Sequence, residues 1–392
     1  MADTPTLDDW KFAVSEAGHT LRLRVEAAET SENSHNIIQK MNADWPRGQV
    51  MAARSLYAAR HFAGKKFPHL ANLIADHTGL EMASSVTIAD HKAKRFERVG
   101  EPVFDLCCGI GGDAMSLART LDVTGVDECP IRAWMCEQNA GCVTIVEDVR
   151  AIDVRDAIVH LDPSRRTDAG RRVRSLDDYQ PGRDFMDHVA RTARGAAIKL
   201  GPGVDRGDLN LDVPFELEYI SESGTVVQAV LWTGALAQAP GHVTATVIPN
   251  GASLTGDPTI QTPLLEDAPL RALIVQADPA IERARLLGAL AERHDLFEIH
   301  PGLGLLTADT MPPAGVARSF QLINAMPWRE KKVKAWLREH DAGYVTVKTR
   351  GKAVNPDPLH GLLAGPGGTD YVVFIVRLGQ KKVAWITTAA TG

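Results

Sequence analysis

Four aspartates follow one another at intervals that place each of them at a predicted strand end. Asp127 lies 22 residues after Asp105. Asp148 lies 21 residues further on, and Asp162 follows 14 residues later. Because open α/β sheets bind ligands at the carboxyl ends of their strands, we expect these four carboxylates to meet in one cleft. The carboxylate that ends the second strand, Asp127, is placed to accept hydrogen bonds from ribose hydroxyls.

A glycine-rich turn follows the first of these strands, in the segment Cys107-Cys108-Gly109-Ile110-Gly111-Gly112-Asp113. Glycine lets the backbone approach a ligand closely, and the start of a helix offers N–H donors. The spacing of a dinucleotide fingerprint is absent, as is the Gly-Lys-Ser/Thr ending of a phosphate-binding loop. Asp105, just before the turn, suits a ligand with a cationic amino-acid end better than a pyrophosphate.

Short apolar strands that alternate with helices predict the sheet that positions these residues. The alternation runs from residue 101 to about 235 and indicates an α/β fold, with a parallel sheet covered by helices on both faces. The predicted helices are 114–120 and 131–140. The predicted strands are 103–106, 123–127, 143–146, 157–161 and 196–200, followed by an antiparallel pair at 215–221 and 225–232.

This middle region resembles the class I S-adenosylmethionine-dependent methyltransferases. The resemblance covers roughly residues 101–235 and implies a Rossmann-like sheet with S-adenosyl-L-methionine as the cofactor. The residues that carry it are Asp105, Cys108, Gly109, Gly111 and Gly112 of the first strand and turn, then Asp127, Asp148 and Asp162-Pro163.

The resemblance also implies a role for each part of this set. Asp105 and the turn from Gly109 to Gly112, to which Cys108 belongs, would hold the methionine part of the cofactor. Asp127 would bind the ribose hydroxyls. Asp148 would bind the adenine amino group, with Val149 beside the ring.

The end of the fourth predicted strand reads His160-Leu161-Asp162-Pro163-Ser164. It resembles the catalytic position of methyltransferases that modify an amino group on a base, where an acid or Asn precedes Pro-Pro and an aromatic residue. A side-chain acceptor and a turned backbone carbonyl can bind the two protons of an amine, and Pro163 fixes that turn. Asp162, Pro163 and Ser164 are therefore the predicted catalytic residues, whereas His160 is expected to be a satisfied buried histidine.

The segment departs from the amine pattern after Pro163. Ser164 replaces the second Pro and Arg165 replaces the aromatic residue, which is closer to the RNA 5-methyluracil enzymes. Those enzymes need a nucleophilic Cys after the fifth strand, and residues 198–203 contain none. Transfer to an amine or ring nitrogen is therefore favoured over transfer to carbon. Arg165 and Arg166 present planar donors that suit phosphate contact, although surface ion pairs explain them equally well.

Positive charge is concentrated at the C-terminal end of the chain. Residues 315–392 contain 12 Lys and Arg against 5 Asp and Glu, a balance of +7, whereas the rest of the chain has 31 against 44, a balance of −13. A basic patch on a small α/β fold is typical of a nucleic-acid-binding module. The predicted contacts to a polyanion are Lys331, Lys332, Lys348 and Arg350.

This basic region resembles the THUMP-like C-terminal domain that accompanies a set of bacterial class I methyltransferases. The segments that carry the resemblance are 326–337, 347–351 and 371–377. Because THUMP domains are associated with RNA modification, the resemblance implies RNA as the substrate. One alternative is a methyltransferase for a protein or small molecule that uses this domain for recognition or dimerisation. Another is a non-catalytic protein that binds RNA or the cofactor.

The chain divides into four predicted regions. These are a helical N-terminal domain at 1–100, the methyltransferase domain at 101–235, a connector and the start of the C-terminal α/β unit at 236–314, and the small basic THUMP-like domain at 315–392. The basic run from His91 to Arg98 is interpreted as a solvated helix face. One strand is predicted in the connector, at 243–248, and single helices are predicted over 280–294 and 328–340.

The whole-chain composition narrows the class of protein further. The 392 residues carry a net charge of −6 and five cysteines, none in a Cys-x-x-Cys pair, so neither a disulfide framework nor a zinc site is predicted. No apolar run approaches the ~20 residues of a membrane-spanning helix. The N-terminus has no basic flank or apolar stretch of a signal peptide. A cytoplasmic protein without a membrane partner or a bound metal is therefore expected.

Overall fold

Contacts between elements divide the computed structural model of this chain into two units. The first unit consists of Met1–Leu217 with Gln228–Pro240, and the second of Glu218–Val227 with Gly241–Gly392. The four-region division made from the sequence stays a prediction. The residues whose structure is described are 4–31, 34–68, 72–165, 175–266 and 269–390.

The first unit begins with helices that pack around one apolar core. Thr6 starts the first helix with a capping box, because its hydroxyl accepts from the N–H of Asp9 and the Asp9 carboxylate accepts from the N–H of Thr6. Ser85 caps the last helix, which ends at Gly100 with a φ of 69°. The helices are α1 (Leu7–Val14), α2 (His19–Glu29), α3 (Ser34–Met41), α4 (Arg47–Phe62), α5 (His77–Met82) and α6 (Val86–Val99).

A sheet follows, with helices between its strands. Its strands are β1 (Val103–Leu106), β2 (Val123–Asp127), β3 (Val143–Val146), β4 (Ile158–Leu161), β5 (Gly195–Leu200), β6 (Phe215–Glu222) and β7 (Thr225–Gly234). The helices are α7 (Ala114–Leu117), α8 (Pro130–Ala140) and α9 (Arg183–Thr192). The order of these strands is β3-β2-β1-β4-β5-β7-β6, in which β1 to β5 are parallel and β7 is antiparallel to β5. This order confirms the Rossmann-like α/β expectation.

The strand order reverses between β1 and β4, and this reversal creates the place for a ligand. The chain runs outward from β1 through β2 to β3, then returns to β4 on the other side of β1. Every residue of β4 and β5 is buried, which is usual for central parallel strands covered on both faces. The carboxyl ends of β1 and β4 therefore diverge into a crevice.

The second unit contains a seven-stranded sheet in the order β11-β12-β10-β13-β16-β15-β14 and a further pair, β8 with β9. Its strands are β8 (Val243–Ile248), β9 (Ala252–Gly256), β10 (Leu273–Ala277), β11 (Phe297–Glu298), β12 (Leu305–Ala308), β13 (Ala317–Pro327), β14 (Ala342–Arg350), β15 (Thr369–Leu378) and β16 (Lys381–Ala389). Its helices are α10 (Pro279–Arg283), α11 (Leu287–His294), α12 (Glu330–Glu339) and α13 (Asp357–Leu363).

The two faces of the seven-stranded sheet bury different apolar clusters. Val333 and Leu337 of α12 pack with Val345 and Val347 of β14 on one face. Phe320 of β13 packs with other strand residues on the opposite face. This division decides on which side each basic residue of the unit lies.

Three predictions about elements were wrong. The segment 280–294 forms two helices, because Arg285 takes a φ of 58° and Gly288 lies so close to the backbone of Ile260 that a Cβ would be 2.0 Å from its carbonyl oxygen. The connector holds β9 besides the predicted β8. Strands β10 to β13 were not predicted: β10 and β13 pair with strands far away in the sequence, and β11, which pairs with β12, has only two residues.

The interpretation of residues 91–98 as a solvated helix face was also wrong. Lys92 and Arg95 on α6 are buried, at 1% and 7% exposure, and Lys94 of the same helix is exposed. Among the residues that the structure describes, no helix is long and apolar enough to cross a membrane.

Candidate active site

The crevice between β1 and β4 opens into a cavity of about 730 Å³ in the first unit. The carboxylates of Asp105, Asp127, Asp148 and Asp162 all line this cavity, as expected from their positions at the strand ends. Residues between 78 and 83, in and just after α5, line it from the N-terminal helices.

The glycine-rich turn forms one wall of the cavity. Gly109 and Gly111 take φ values of 56° and 84°, in the left-handed region that favours glycine. A Cβ on Gly111 would also lie 3.1 Å from the Cα of Cys136, so a side chain has no room there. Cys107 lies in the same region at a φ of 59° without being glycine, which is a strained conformation of the kind that concentrates at functional sites. Cys108 is buried within the turn.

Asp127 is held in place by the backbone around it. Its Oδ2 accepts from the N–H of Gly109 and its Oδ1 accepts from the N–H of Cys129, both at 3.0 Å. Burial raises the pKa of Asp127, and these two hydrogen bonds and Arg132 oppose the rise. The carboxylate therefore has a fixed orientation at the cavity wall.

Asp148 begins a short 3₁₀ helix and accepts from the N–H of Arg150 at 2.9 Å. The Arg150 guanidinium also donates to it, and these hydrogen bonds hold the pKa of Asp148 at about 2. The next residue, Val149, is buried and lines the cavity. An ionised acceptor and an apolar side chain thus stand together at this end.

Asp105 is almost fully buried and belongs to a polar network beneath the cavity. Its Oδ1 lies 2.7 Å from Nδ1 of His160, and Nε2 of His160 lies 3.0 Å from Nζ of Lys92. Nζ of Lys92 also lies 2.6 Å from Oδ1 of Asp113, whose Oδ2 accepts from Ser84 at 2.9 Å. Both ring nitrogens of His160 have partners, in agreement with the predicted satisfied histidine.

Asp162, at the end of β4, pairs with a buried lysine. Nζ of Lys199 on β5 lies 2.6 Å from Oδ2 of Asp162 and 3.2 Å from the carbonyl oxygen of Met82. The Asp162 side chain is 24% exposed, so it combines this pair with access to the cavity.

The turn after Asp162 is fixed by a two-hydrogen-bond bridge. The N–H of Ser164 donates to the carbonyl of Gln180 at 2.7 Å, and the N–H of Gln180 donates to the carbonyl of Ser164 at 3.0 Å. The carbonyl of Ser164 is therefore already used. The guanidinium of Arg165 lies beside Gly201 at the end of β5. Arg166 lies outside the described residues.

Comparison with known proteins assigns the family. A family model described as THUMP domain-like matches residues 317–389. An uncharacterised S-adenosylmethionine-dependent methyltransferase of Mycobacterium tuberculosis is 30% identical over 315 residues, which cover 79% of this chain and 86% of that protein. This chain belongs to the S-adenosylmethionine-dependent methyltransferases. The methyltransferase also shares its fold with a crystal structure from Porphyromonas gingivalis W83 that is assigned as a methyltransferase, with a TM-score of 0.73, 18% identity and coverage of 95% of this chain and 98% of that one.

The cavity of the methyltransferase fits the cofactor of its family. Oδ2 of Asp105 is buried, and within the described residues it has no hydrogen-bond partner. A buried carboxylate oxygen without a partner is costly, and Asp105 lines the cavity, so a cationic group there would satisfy it. The methionine end of S-adenosylmethionine carries an ammonium group of this kind. Within the described residues, no group of three or more His, Cys, Asp or Glu could hold a metal ion.

The four predicted basic contacts of the methyltransferase lie on two faces of the second unit's sheet and do not form one patch, and their contact with a polyanion stays a prediction. Lys331 and Lys332 are exposed on α12, which packs on one face of the second unit's sheet. Lys348 lies over the ring of Phe320 on the opposite face and donates to Oε1 of Gln276 at 3.0 Å. Burial, followed by Arg318 and Arg350, lowers the pKa of Lys348.

In the last of the four, Arg350, Nη2 of the guanidinium lies 4.0 Å from Oε1 of Glu282 on α10. Residues two apart on a strand share a face, so Arg350 lies on the same side of the sheet as Lys348. The exposed cations on α12 are thus separate from the half-buried cations on β14.

Sequence reasoning missed Lys92, Asp113 and Lys199. A signal for Lys92 was present, since it stands four residues after Ile88 and four before Phe96, both buried, on the apolar stripe of α6. Lys199 gave a weaker signal, as a lysine inside an otherwise apolar strand. The partners of these lysines lie on other elements, so local spacing did not reveal them.

Proposed function

We propose that this methyltransferase modifies a nitrogen of a base in structured RNA, such as tRNA or rRNA. The observation that carries the proposal is the position of Asp162 and Ser164, on either side of Pro163, in the lining of the cavity that also contains Asp105 and Asp127. Cofactor and target would therefore meet between β1 and β4. When bound, S-adenosylmethionine supplies an activated methyl group on its sulfonium sulfur.

Each residue of the turn and strand ends would bind a different part of the cofactor. Asp105 and the turn Gly109–Gly112 would hold the methionine part. Asp127 would accept from the ribose hydroxyls, with its orientation set by the two backbone N–H groups. Asp148 would accept from the adenine amino group, and Val149 would pack on the ring.

Asp162 would accept a hydrogen bond from the target amine. Lys199 donates to Oδ2 of Asp162, which leaves Oδ1 for the target. A backbone carbonyl of the turn would be the second acceptor, and we assign this role to Pro163, because the carbonyl of Ser164 accepts from the N–H of Gln180. Two fixed acceptors would aim the nitrogen lone pair at the methyl group, and such positioning is the main contribution a protein makes to this transfer.

The THUMP-like domain supports RNA as the substrate. Lys331 and Lys332 on α12 are exposed and would contact phosphates on one face of the sheet. Lys348 and Arg350 would contact phosphates on the other face. Arg165, two residues after Pro163, would contact a phosphate next to the target base. We place the reaction in the cytoplasm, because all five cysteines are free thiols.

Nucleoside mass spectrometry tests the substrate directly. RNA from cells with and without the gene is digested, and the proposal expects one methylated nucleoside to disappear with the gene and return with the wild-type enzyme. It also expects Asp162→Ala to leave that nucleoside absent while binding of S-adenosyl-L-homocysteine is unchanged. Identical nucleoside profiles in the two strains would contradict the RNA assignment.

A salt titration separates RNA from protein or small-molecule substrates. Because phosphate contacts release counterions, affinity for bulk tRNA or rRNA should fall by at least about tenfold between 50 and 200 mM salt. The variant Lys331→Gln/Lys332→Gln should bind more weakly with a shallower salt dependence. Salt-independent binding would favour a methyltransferase for a protein or small molecule.

A further inference from the structure

The methionine side of the cofactor cavity rests on a line of buried polar groups that starts in the N-terminal helices. Lys92 of α6, His160 of β4 and Asp105 of β1 follow one another at 3.0 and 2.7 Å. All three are buried, at 1% exposure each. A helix that precedes the methyltransferase sheet thus reaches the residue expected to hold the cofactor.

The contacts indicate the direction of each hydrogen bond in the line. Asp113 pairs with Lys92 at 2.6 Å, and although burial would raise the pKa of Asp113, Lys92 and His160 hold it well below its ordinary value. In this ion pair Lys92 is the donor, because an ammonium group only donates hydrogen bonds. Nε2 of His160 then accepts from Lys92, and Nδ1 of His160 donates to Oδ1 of Asp105.

Two consequences follow for Asp105. Its Oδ1 is occupied, so the carboxylate has one orientation, and its buried Oδ2 has no partner among the described residues, although Asp105 lines the cavity. Asp105 and Asp113 are two buried carboxyl groups on either side of His160 and Lys92, and Oδ2 of Asp105 is the oxygen left without a partner. A cation beside that oxygen would compensate the cost of burying it.

We propose that Lys92 and His160 are positioning residues that hold Asp105 for the ammonium group of the cofactor's methionine end. They act through Asp105 and do not touch the methyl group. The inference rests on the role proposed for Asp105 and extends it, because it makes α6 part of the cofactor site. It also predicts selectivity: ligands with the amino-acid end should depend on this line, and ligands without it should not.

A comparison of two ligands tests the proposal by isothermal titration calorimetry. S-adenosyl-L-homocysteine carries the amino-acid end, whereas 5′-methylthioadenosine keeps the adenine, ribose and sulfur but lacks it. Lys92→Met should weaken the binding of S-adenosyl-L-homocysteine by at least about tenfold, the effect of losing a charged hydrogen bond. Binding of 5′-methylthioadenosine should change by less than about threefold. Lys94→Met, at an exposed position on the same helix, is the matched control and should change neither.

The outcomes separate the possible failures. Equal weakening of both ligands by Lys92→Met would show a general structural role and overturn the proposal, as would no weakening at all. If the wild-type protein bound neither ligand, the cofactor assignment itself would fail. Because Lys92→Met leaves Asp113 buried without its partner, folding is checked by thermal melting. If that variant does not fold, the same two affinities are measured for His160→Asn, which keeps a donor for Asp105 but loses the contact with Lys92. Weaker binding of S-adenosyl-L-homocysteine alone is expected, and equal weakening of both ligands or no weakening would overturn the proposal.

The wild-type protein offers a test that needs no substitution. In ¹⁵N-histidine NMR spectra, His160 should carry its proton on Nδ1, and its signals should shift when S-adenosyl-L-homocysteine is added. The signals of His160 should shift much less with 5′-methylthioadenosine. A proton on Nε2 would overturn the proposed direction of the line.

Discussion

Substitution of Arg95 by Met should strongly destabilise the first unit. Arg95 joins α6 to the sheet, because its guanidinium donates to Oε2 and Oε1 of Glu216 at 2.7 and 2.9 Å. It also lies over the ring of Trp232, 4.3 Å from the centroid. The side chains of Arg95 and Glu216 are 8% and 1% exposed, so solvent cannot replace the lost partner.

The magnitude follows from the burial of this pair. Removal of one partner from a buried ion pair costs about 3–5 kcal/mol, because the other charge stays buried without full compensation. Glu216 keeps the N–H groups of Gln238 and Ala239, at 2.9 and 3.0 Å, which places the expected loss near the lower end of that range. For a unit of this size the Tm should fall by on the order of 10 °C. Thermal melting and urea denaturation followed by circular dichroism measure both quantities.

The chain contains a matched control for this variant. Arg24 donates to Asp44 at 2.9 Å and lies 5.1 Å from the ring of Trp45, so it has the same two kinds of partner. Its side chain and that of Asp44 are 55% and 56% exposed, and Arg24→Met should therefore cost less than about 1 kcal/mol. Equal losses for the two variants would refute the reasoning from burial. The double variant Arg95→Met/Glu216→Gln should recover part of the loss, and no recovery would show that packing on Trp232, not charge, is responsible.

Three further predictions concern the cavity. Asp127→Asn should weaken both S-adenosyl-L-homocysteine and 5′-methylthioadenosine by about tenfold in calorimetry, because an amide NH₂ would face one of the two N–H groups that the carboxylate now accepts from; loss of only one ligand would contradict the ribose role. Burial raises the pKa of Asp105 above its ordinary 3.8, so the carboxylate takes up a proton before the pH falls to that value. The affinity for S-adenosyl-L-homocysteine should fall as this proton is taken up. A constant calorimetric affinity down to pH 3.8 would contradict this prediction. Lys199→Met should reduce the rate of methyl transfer at least about tenfold, measured on RNA from cells that lack the gene, because Lys199 contacts Asp162. The calorimetric affinity for S-adenosyl-L-homocysteine should stay within threefold of the wild-type value. Parallel losses of transfer and affinity would place Lys199 in the cofactor site instead.

The sequence by itself determined the part of the molecule that depends on local pattern. Strands β1, β2 and β3 have the predicted bounds, because short apolar segments between turns and helices specify a parallel sheet. Asp105, Asp127, Asp148 and Asp162 line one cavity because strand ends in such a sheet share an edge. The glycine-rich turn could also be predicted, because Gly109 and Gly111 take positive φ values that favour glycine.

Only the tertiary structure decided which charges are paired and which face they occupy. Lys92 meets His160, 68 residues away, and Lys199 meets Asp162 from the neighbouring strand. Lys331 and Lys348 are 17 residues apart in the sequence but lie on opposite faces of one sheet. Burial and charge pairing are set by elements brought together from distant parts of the chain. The sequence alone therefore does not distinguish a run of basic residues that faces solvent from one that, as in α6, includes buried side chains.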